Sequence, residues 1–249
     1  KIFLYYLEFF HNRKEIFSKF VKAVKDFNLI EENDVIAVCI SGGKDSFLLA
    51  KCMQELKIHS KYHFDLEFIV MDPGYKKEII KQIKDNAKIL GVDIEIFDSD
   101  IFEVANKLAP EAPCYMCARM RRGFLYAKAK ELGCNKIALG HHLDDAAETF
   151  LMNLLVESRI GCFAPVTYLS RRDLTMIRPL IYVREREITA AAERLNLPVV
   201  KSGCPANENT KREEIKMLIN ELSARYGDVP ERIIGAMQRG NIDRWNKVL

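Results

Sequence analysis

The chain has 249 residues, 49% hydrophobic and 29% charged, with a formal net charge of +3. That length can bury one sizeable core, but the charge is too small to argue a polyanion partner from the total, so any nucleic-acid reading rests on local clusters. Seven cysteines are few, and odd in number, for a disulfide scaffold of this length, and a reducing cytoplasm is the expected setting. The apolar run Ile2–Phe10 is interrupted by Glu8 and is too short to span a bilayer, and no small-residue cleavage site follows it.

In chain order, Glu15–Phe27 places Ile16, Phe17, Phe20, Val21, Val24 and Phe27 on one helical face, a packing helix that covers a sheet. The polar turn Asn28–Asp34 leads into the β-branched run Val35–Ile40, the first strand. Ser41-Gly42-Gly43-Lys44-Asp45-Ser46 comes next and opens a helical pattern over Asp45–Leu56. Strand, glycine turn and helix start together make an anion site. Two glycines let backbone N–H groups approach a phosphate, the helix adds free donors and its dipole, and Ser41 and Ser46 add hydroxyls. This is not a Walker A loop, because Asp45 stands where Ser or Thr is required and Val38 where the first Gly is required.

Leu66–Met71 is the second strand, ended by the turn Asp72-Pro73-Gly74-Tyr75. Lys76–Leu90 is a helix closed by Gly91, Asp93–Phe97 a third strand, and Phe124–Leu132 a helix stopped at Gly133. Lys136–Gly140 and Met176–Arg178 are the fourth and fifth strands, followed by helices over Ala146–Val156 and Glu185–Leu195. Thr210–Tyr226 and Pro230–Gln238 are helices with little strand signal around them, Asp228 being the N-cap of the second. The alternation predicts an α/β fold: a parallel twisted sheet of about five strands with helices on both faces. Right-handed crossovers put every strand's carboxyl end on one edge, where ligands bind. The expected division is an N-terminal helical segment (1–33), an α/β domain (34–203) and a helical tail (204–249) packed on that domain.

Cys114-Tyr115-Met116-Cys117 is a C-x-x-C pair, and Cys204 lies in the turn-like Ser202-Gly203-Cys204-Pro205. Three accounts compete. A zinc site usually has four ligands and no second C-x-x-C exists. A redox pair should open a helix directly after a strand. An iron–sulfur cluster on three thiolates would leave one iron open to an exogenous ligand.

The residues Ser41–Ser46 match the S-G-G-x-D-S signature at every position, and the chain resembles the PP-loop ATPases. Cys114–Gly123, Gly140-His141-His142-Leu143-Asp144-Asp145-Ala146-Ala147-Glu148-Thr149, Ile177-Arg178-Pro179-Leu180 and the late Cys204 narrow the resemblance. Together, from Ile16 to Leu222, they are similar to the tRNA 2-thiocytidine synthetase family. The resemblance implies an adenine nucleotide alpha hydrolase-like fold and ATP cleaved between its α- and β-phosphates with Mg²⁺, the adenylate passing to a substrate oxygen. It implies a [4Fe-4S] cluster on Cys114, Cys117 and Cys204, and sulfur inserted at C2 of a cytidine in tRNA. In that family the last cysteine stands in a P-C-x-x-C-G context, whereas here Cys204 is alone, with Lys201 and Asn207 three positions away on either side. The N-terminal zinc-finger cysteines of the related 2-thiouridine synthetases are missing. Cys39, Cys52, Cys134 and Cys162 read as ordinary buried or half-buried thiols.

The expected catalytic set is Cys114, Cys117, Cys204 and Asp45, the last orienting the loop or Mg²⁺. Nucleotide contacts are expected from Ser41, Gly42, Gly43, Lys44, Asp45, Ser46 and Gly140, from the backbone of Val70 or Met71 for the adenine edge, and from the nearby Asp72. Asp144 or Asp145 is assigned to Mg²⁺ or phosphate-bound water, although acids in a first helical turn also simply complement the dipole. His141 or His142 is assigned to the leaving pyrophosphate, with a packed core histidine the competing account of one of them. Arg119, Arg121, Arg122, Lys128 and Lys130 have no acid among them and suit an RNA phosphate track, extended by Arg171, Arg172, Lys211 and Arg212. A solvated helix face explains Lys128 and Lys130 equally well.

These readings converge on a tRNA sulfurtransferase. Its partners are tRNA and a sulfur donor, either sulfide or a cysteine desulfurase persulfide, and no membrane is involved. The terminal helices offer a surface for a homodimer. The rivals are a PP-loop adenylating enzyme with a nitrogen nucleophile and a non-enzymatic nucleotide-binding iron–sulfur redox sensor. The whole reading requires thiols 114, 117 and 204 to meet beside the nucleotide pocket.

Overall fold

A computed structural model describes residues 13–111, 113–194, 199–200 and 211–246. Among them the chain runs α1 (Arg13–Asp26), β1 (Val35–Ile40), α2 (Lys44–His59), β2 (Asp65–Asp72), α3 (Lys77–Leu90), β3 (Ile94–Asp98) and α4 (Ile101–Leu108). It continues with α5 (Pro113–Glu131), β4 (Lys136–Ala138), α6 (Leu143–Leu155), β5 (Val166–Leu169), β6 (Leu174–Ile177), α7 (Glu185–Arg194), α8 (Lys211–Tyr226) and α9 (Val229–Arg239). A 3₁₀ turn, Ile242–Arg244, follows. No helix of the described residues is long and apolar enough to cross a membrane.

The strands form one sheet in the order β3-β2-β1-β4-β6-β5. All neighbours are parallel except β5, which pairs antiparallel with β6. Six strands therefore replace the expected five. Val166–Leu169 escapes a sequence reading because it is an edge strand with Tyr168 exposed, joined to β6 by a short charged turn in which Asp173 takes φ 46°. Two helices also differ. Ile101–Leu108 is a helix absent from the sequence expectation. The helix expected from Phe124 starts at Pro113, so Cys114 lies in its first turn and Cys117 at the start of its second. Pro113 needs no N–H donor there, which makes it a natural first residue.

The two faces of the sheet bury different things. Ile36, Val38 and Ile40 of β1 point into the larger core, with α1, α2 and α3, while Ala37 and Cys39 point at α5. The small residues Ala37 and Ala129 let α5 lie close to the sheet. Helices α8 and α9 pack on α6, with Ile215 and Ile219 against Ala147. Past α9 the single tryptophan, Trp245, is fully buried. Its ring meets Phe27 edge-on, and its indole N–H donates to the Phe163 carbonyl at 3.1 Å.

The strand order reverses between β1 and β4. The chain moves from β1 out through β2 to β3, then returns to the other side of β1. A crevice opens at the carboxyl ends of two strands whose connections leave in opposite directions, the usual ligand position in such sheets. Replacing the buried Trp245 with alanine should lower unfolding free energy by about 3–5 kcal/mol, measured by urea denaturation. A loss below about 1 kcal/mol would mean that the tail carries no weight.

Candidate functional site

The glycine loop leaves β1 directly at this crevice. Gly42 has φ +86°, a left-handed conformation, and a Cβ there would lie 2.8 Å from Ile83 Cγ1. Gly43 is the N-cap of α2 and makes no side-chain cap, so the first N–H groups of the helix point to the crevice without a capping oxygen. Ser46 ties the loop to itself. Its hydroxyl donates to the Gly43 carbonyl at 2.9 Å and accepts the Ser41 N–H at 3.1 Å. Lys44 extends to Glu185 Oε1 at 3.2 Å and lies 3.4 Å from Asp45 Oδ1. That Asp45 oxygen is buried and receives no hydrogen bond.

The loop after β4 meets the glycine loop edge to edge. A Cβ on Gly140 would sit 3.4 Å from the Asp45 carbonyl and the Ser46 nitrogen. His142 caps α6: its Nδ1 accepts the Asp145 N–H at 3.3 Å, and Asp145 Oδ2 accepts the His142 N–H at 3.0 Å. His142 is thus the structural histidine of the pair. His141 packs against Phe163, ring centroids 5.1 Å apart, and its Nδ1 is buried without a partner. Burial, reinforced by Arg178, pulls its pKa down to about 4, so His141 is neutral at pH 7 and brings no charge to a phosphate.

Asp144 is committed elsewhere. Arg184 donates to it from Nε at 3.0 Å and Nη2 at 2.9 Å, and the Glu185 N–H donates at 2.6 Å. Arg184 also binds Asp228, the N-cap of α9. Among the described residues no three His, Cys, Asp or Glu side chains converge as a metal site. Asp145 spends its side chain on the α6 cap, and among the described residues the buried carboxylate oxygen of the glycine loop that receives no hydrogen bond is Asp45 Oδ1.

At the end of β2, Val70 and Met71 are buried, and Asp72 Oδ1 accepts the Gly74 and Tyr75 N–H groups at 2.9 and 2.6 Å, so its side chain shapes the turn. Cys114 is exposed and Cys117 half-buried, neither in a disulfide. They stand one turn apart at the N-terminus of α5. Met120 and Gly123 of α5 line a pocket with Asp98, Ser99 and Ile101, just past the carboxyl end of β3, while Lys130 near the other end of the helix meets Asp173 at the amino edge. The helix thus runs opposite to the strands, and Cys117 and Cys114, three and six residues before Met120, lie roughly 5–9 Å further along the axis. The pair therefore overhangs the same edge as the glycine loop. By contrast, burial pushes Cys39, Cys52 and Cys162 up to about 12 and Cys134 to about 11, which keeps them protonated. Cys204, Lys201 and Asn207 lie outside the described residues. Val200, the described residue nearest before them, donates its N–H to the Gly42 carbonyl at 3.0 Å.

The basic track shrinks. Arg119 and Arg122 are exposed on α5. Lys128 pairs with Glu131 at 2.5 Å, and Lys130 donates to the Asp173 carbonyl at 3.0 Å. Lys130, Arg171 and Arg172 stand at the amino edge, away from the loop, since their turn precedes β6. Arg212 turns inward, with Nη2 donating to Thr149 Oγ1 at 2.9 Å and Nε 3.2 Å from Glu148 Oε2. The roles of Arg184, Glu185 and Lys216 could not be read in advance. Arg184–Glu187 looks like the solvated first turn of a helix, and no local pattern links it to Asp144, 40 residues earlier, or to Lys44.

With this geometry in view, comparison with known proteins is direct. The family described as "PP-loop domain" matches residues 12–222, and the chain belongs to it. A tRNA-cytidine(32) 2-sulfurtransferase of Syntrophotalea carbinolica is 37% identical over 225 residues, covering 89% of this chain and 86% of that one. Another, of Aeromonas hydrophila, is 35% identical over 223 residues, 87% of this chain and 73% of its own. Similarity of this extent makes the chain a member of the tRNA-cytidine(32) 2-sulfurtransferase family. Among solved structures, the U34-tRNA thiolase NcsA from Methanococcus maripaludis with its [4Fe-4S] cluster has the same fold. Its TM-score is 0.75 at 24% identity, over 92% of this chain and 78% of that one.

Two buried titratable groups here oppose each other. The folded-state pKa of His141 is about 4 against an ordinary 6.5, so between those values the unfolded chain takes the extra proton and stability rises with pH. Burial raises Glu148 from 4.5 to about 7, so across that window the folded chain takes the extra proton and stability falls with pH. Glu148→Gln should therefore steepen the rise in stability towards neutral pH relative to the wild type, and His141→Asn should reverse it. Each change is of order 2–3 kcal/mol, read from urea midpoints between pH 4.5 and 7. Parallel curves for all three proteins would refute it.

Proposed function

We propose that the protein is an ATP-dependent tRNA sulfurtransferase that replaces the C2 oxygen of a cytidine with sulfur. The observation that carries this reading is a common edge: the uncapped N–H groups of the glycine loop and the overhanging C-x-x-C open on the same side of the sheet. The names of the relatives support the substrate.

The loop's N–H groups and Lys44 bind the triphosphate of ATP, where free donors and the helix dipole favour anions. Asp45 Oδ1, the unsatisfied carboxylate oxygen, suits a Mg²⁺ ion that arrives with the phosphates. The cytidine carbonyl oxygen attacks the α-phosphate, pyrophosphate leaves, and the base carries an adenylated oxygen. Rate comes from positioning and charge stabilisation. His141 contributes as a neutral imidazole, donating or accepting one hydrogen bond. A sulfur nucleophile then adds at C2, and AMP departs with the oxygen. The target base must be unpaired to be reached, which suits a tRNA loop, and Arg119 and Arg122 provide phosphate contacts along α5.

Cys114, Cys117 and Cys204 would hold a [4Fe-4S] cluster, whose open iron supplies a place to deliver sulfur as a nucleophile. Two thiols one turn apart at a helix N-terminus fit that role. A nitrogen nucleophile would leave them idle.

The test is nucleoside mass spectrometry after anaerobic incubation with ATP, unmodified tRNA and sulfide. The expected product is 2-thiocytidine. Cys114→Ser and Cys117→Ser should each lose bound iron and lower thiolation at least tenfold while ATP binding persists. Absence of any thiolated nucleoside from iron-loaded, ATP-binding protein would overturn the reading.

A further inference from the structure

Lys44 does not wait unpaired for phosphate. Its ammonium is held by Glu185 Oε1 at 3.2 Å, and the other oxygen of the same carboxylate is held by Lys216 of α8 at 2.7 Å. Burial alone would raise the Glu185 pKa, but Lys216 and Lys44 bring it to about 2, so the acid is an anion at every working pH. Its position is fixed from the backbone, since the Glu185 N–H donates to Asp144 Oδ2 at 2.6 Å. A cavity of about 440 Å³ borders Asp144, Glu148, Arg184, Glu185 and Lys216. The carboxylate therefore has room to turn from Lys44 toward Lys216.

An anion bound at the loop and the Glu185 carboxylate must compete for the same ammonium, and they repel each other. The triphosphate carries several charges, each repelled by a carboxylate at contact distance in this half-buried site. Preorganising Lys44 gains at most the rotamer entropy of one side chain. Repulsion therefore outweighs the benefit of holding Lys44 in place.

We propose that Glu185 is a positioning residue that acts through Lys44 as a built-in competitor for phosphate, weakening the hold on ATP and on product pyrophosphate so that the product leaves. Lys216 takes up the displaced carboxylate, which keeps the exchange affordable in charge terms. This rests on the reading of Ser41–Ser46 as the triphosphate site.

The test measures ATP and inorganic pyrophosphate binding by calorimetry on the full chain, with KM for ATP and pyrophosphate inhibition alongside. Glu185→Gln should tighten binding of both at least threefold and lower KM for ATP without raising kcat. Lys216→Met should weaken binding in the wild-type background, because Glu185 then holds Lys44 alone, and that effect should shrink in the Glu185→Gln background. A merely structural Glu185 would weaken binding on substitution. Wild-type binding that Glu185→Gln leaves unchanged or weakens overturns this inference alone; if the glutamine variant fails to fold, Lys216→Met alone decides, and binding that it leaves unchanged or tightens overturns the inference. A wild-type protein that binds neither ATP nor pyrophosphate overturns the triphosphate reading and this inference with it.

Discussion

The constraint on which the site depends is the close approach of Gly140 to the backbone of Asp45 and Ser46. It exists because β1 and β4 are neighbours in parallel register, Ile36 beside Lys136 and Val38 beside Ala138. The register is clamped from the opposite edge. Buried Lys136 reaches buried Asp34 at 2.8 Å, Asn135 Nδ2 donates to Asp34 at 2.7 Å, and the Val35 N–H donates to Asn135 Oδ1 at 2.8 Å. A shifted strand would strand an ionised group in the core, which costs several kcal/mol. Polar residues at the amino edge thereby determine how two loops meet at the carboxyl edge.

Around that meeting point the N-termini of α2, α6 and α7 are linked through charged side chains. Asp144 of α6 accepts from Arg184 and from the first N–H of α7, and Glu185 of α7 accepts from Lys44 of α2. Each helix start contributes partial positive charge, so the region favours anions even though the whole chain is nearly neutral. Asp144 and Glu185 are the counter-charges that hold these helix starts together.

Much of this was legible in the sequence because it is local. The β-branched run Val35–Ile40, the two glycines and the following helix announce themselves within a dozen residues, and the parallel sheet follows from the spacing of strands and helices. The same locality explains the failures. An edge strand of four residues, none of them fully buried, gives too short a signal, and a helix that starts at Pro113 among polar and sulfur residues has no apolar stripe. Side-chain partnerships are the least legible. Asp144 and Arg184 are 40 residues apart and Lys44 and Glu185 are 141 apart, and only the fold decides that they pair.

The indole of Trp245 closes on a carbonyl made 82 residues earlier. At ribosomal speeds of 5–20 residues per second, roughly 4–16 s separate the two during synthesis. For that interval Phe163, and the imidazole and guanidinium stacked on it, lack their final support. The contact with Trp245 is therefore a late support for this cluster as the chain is made.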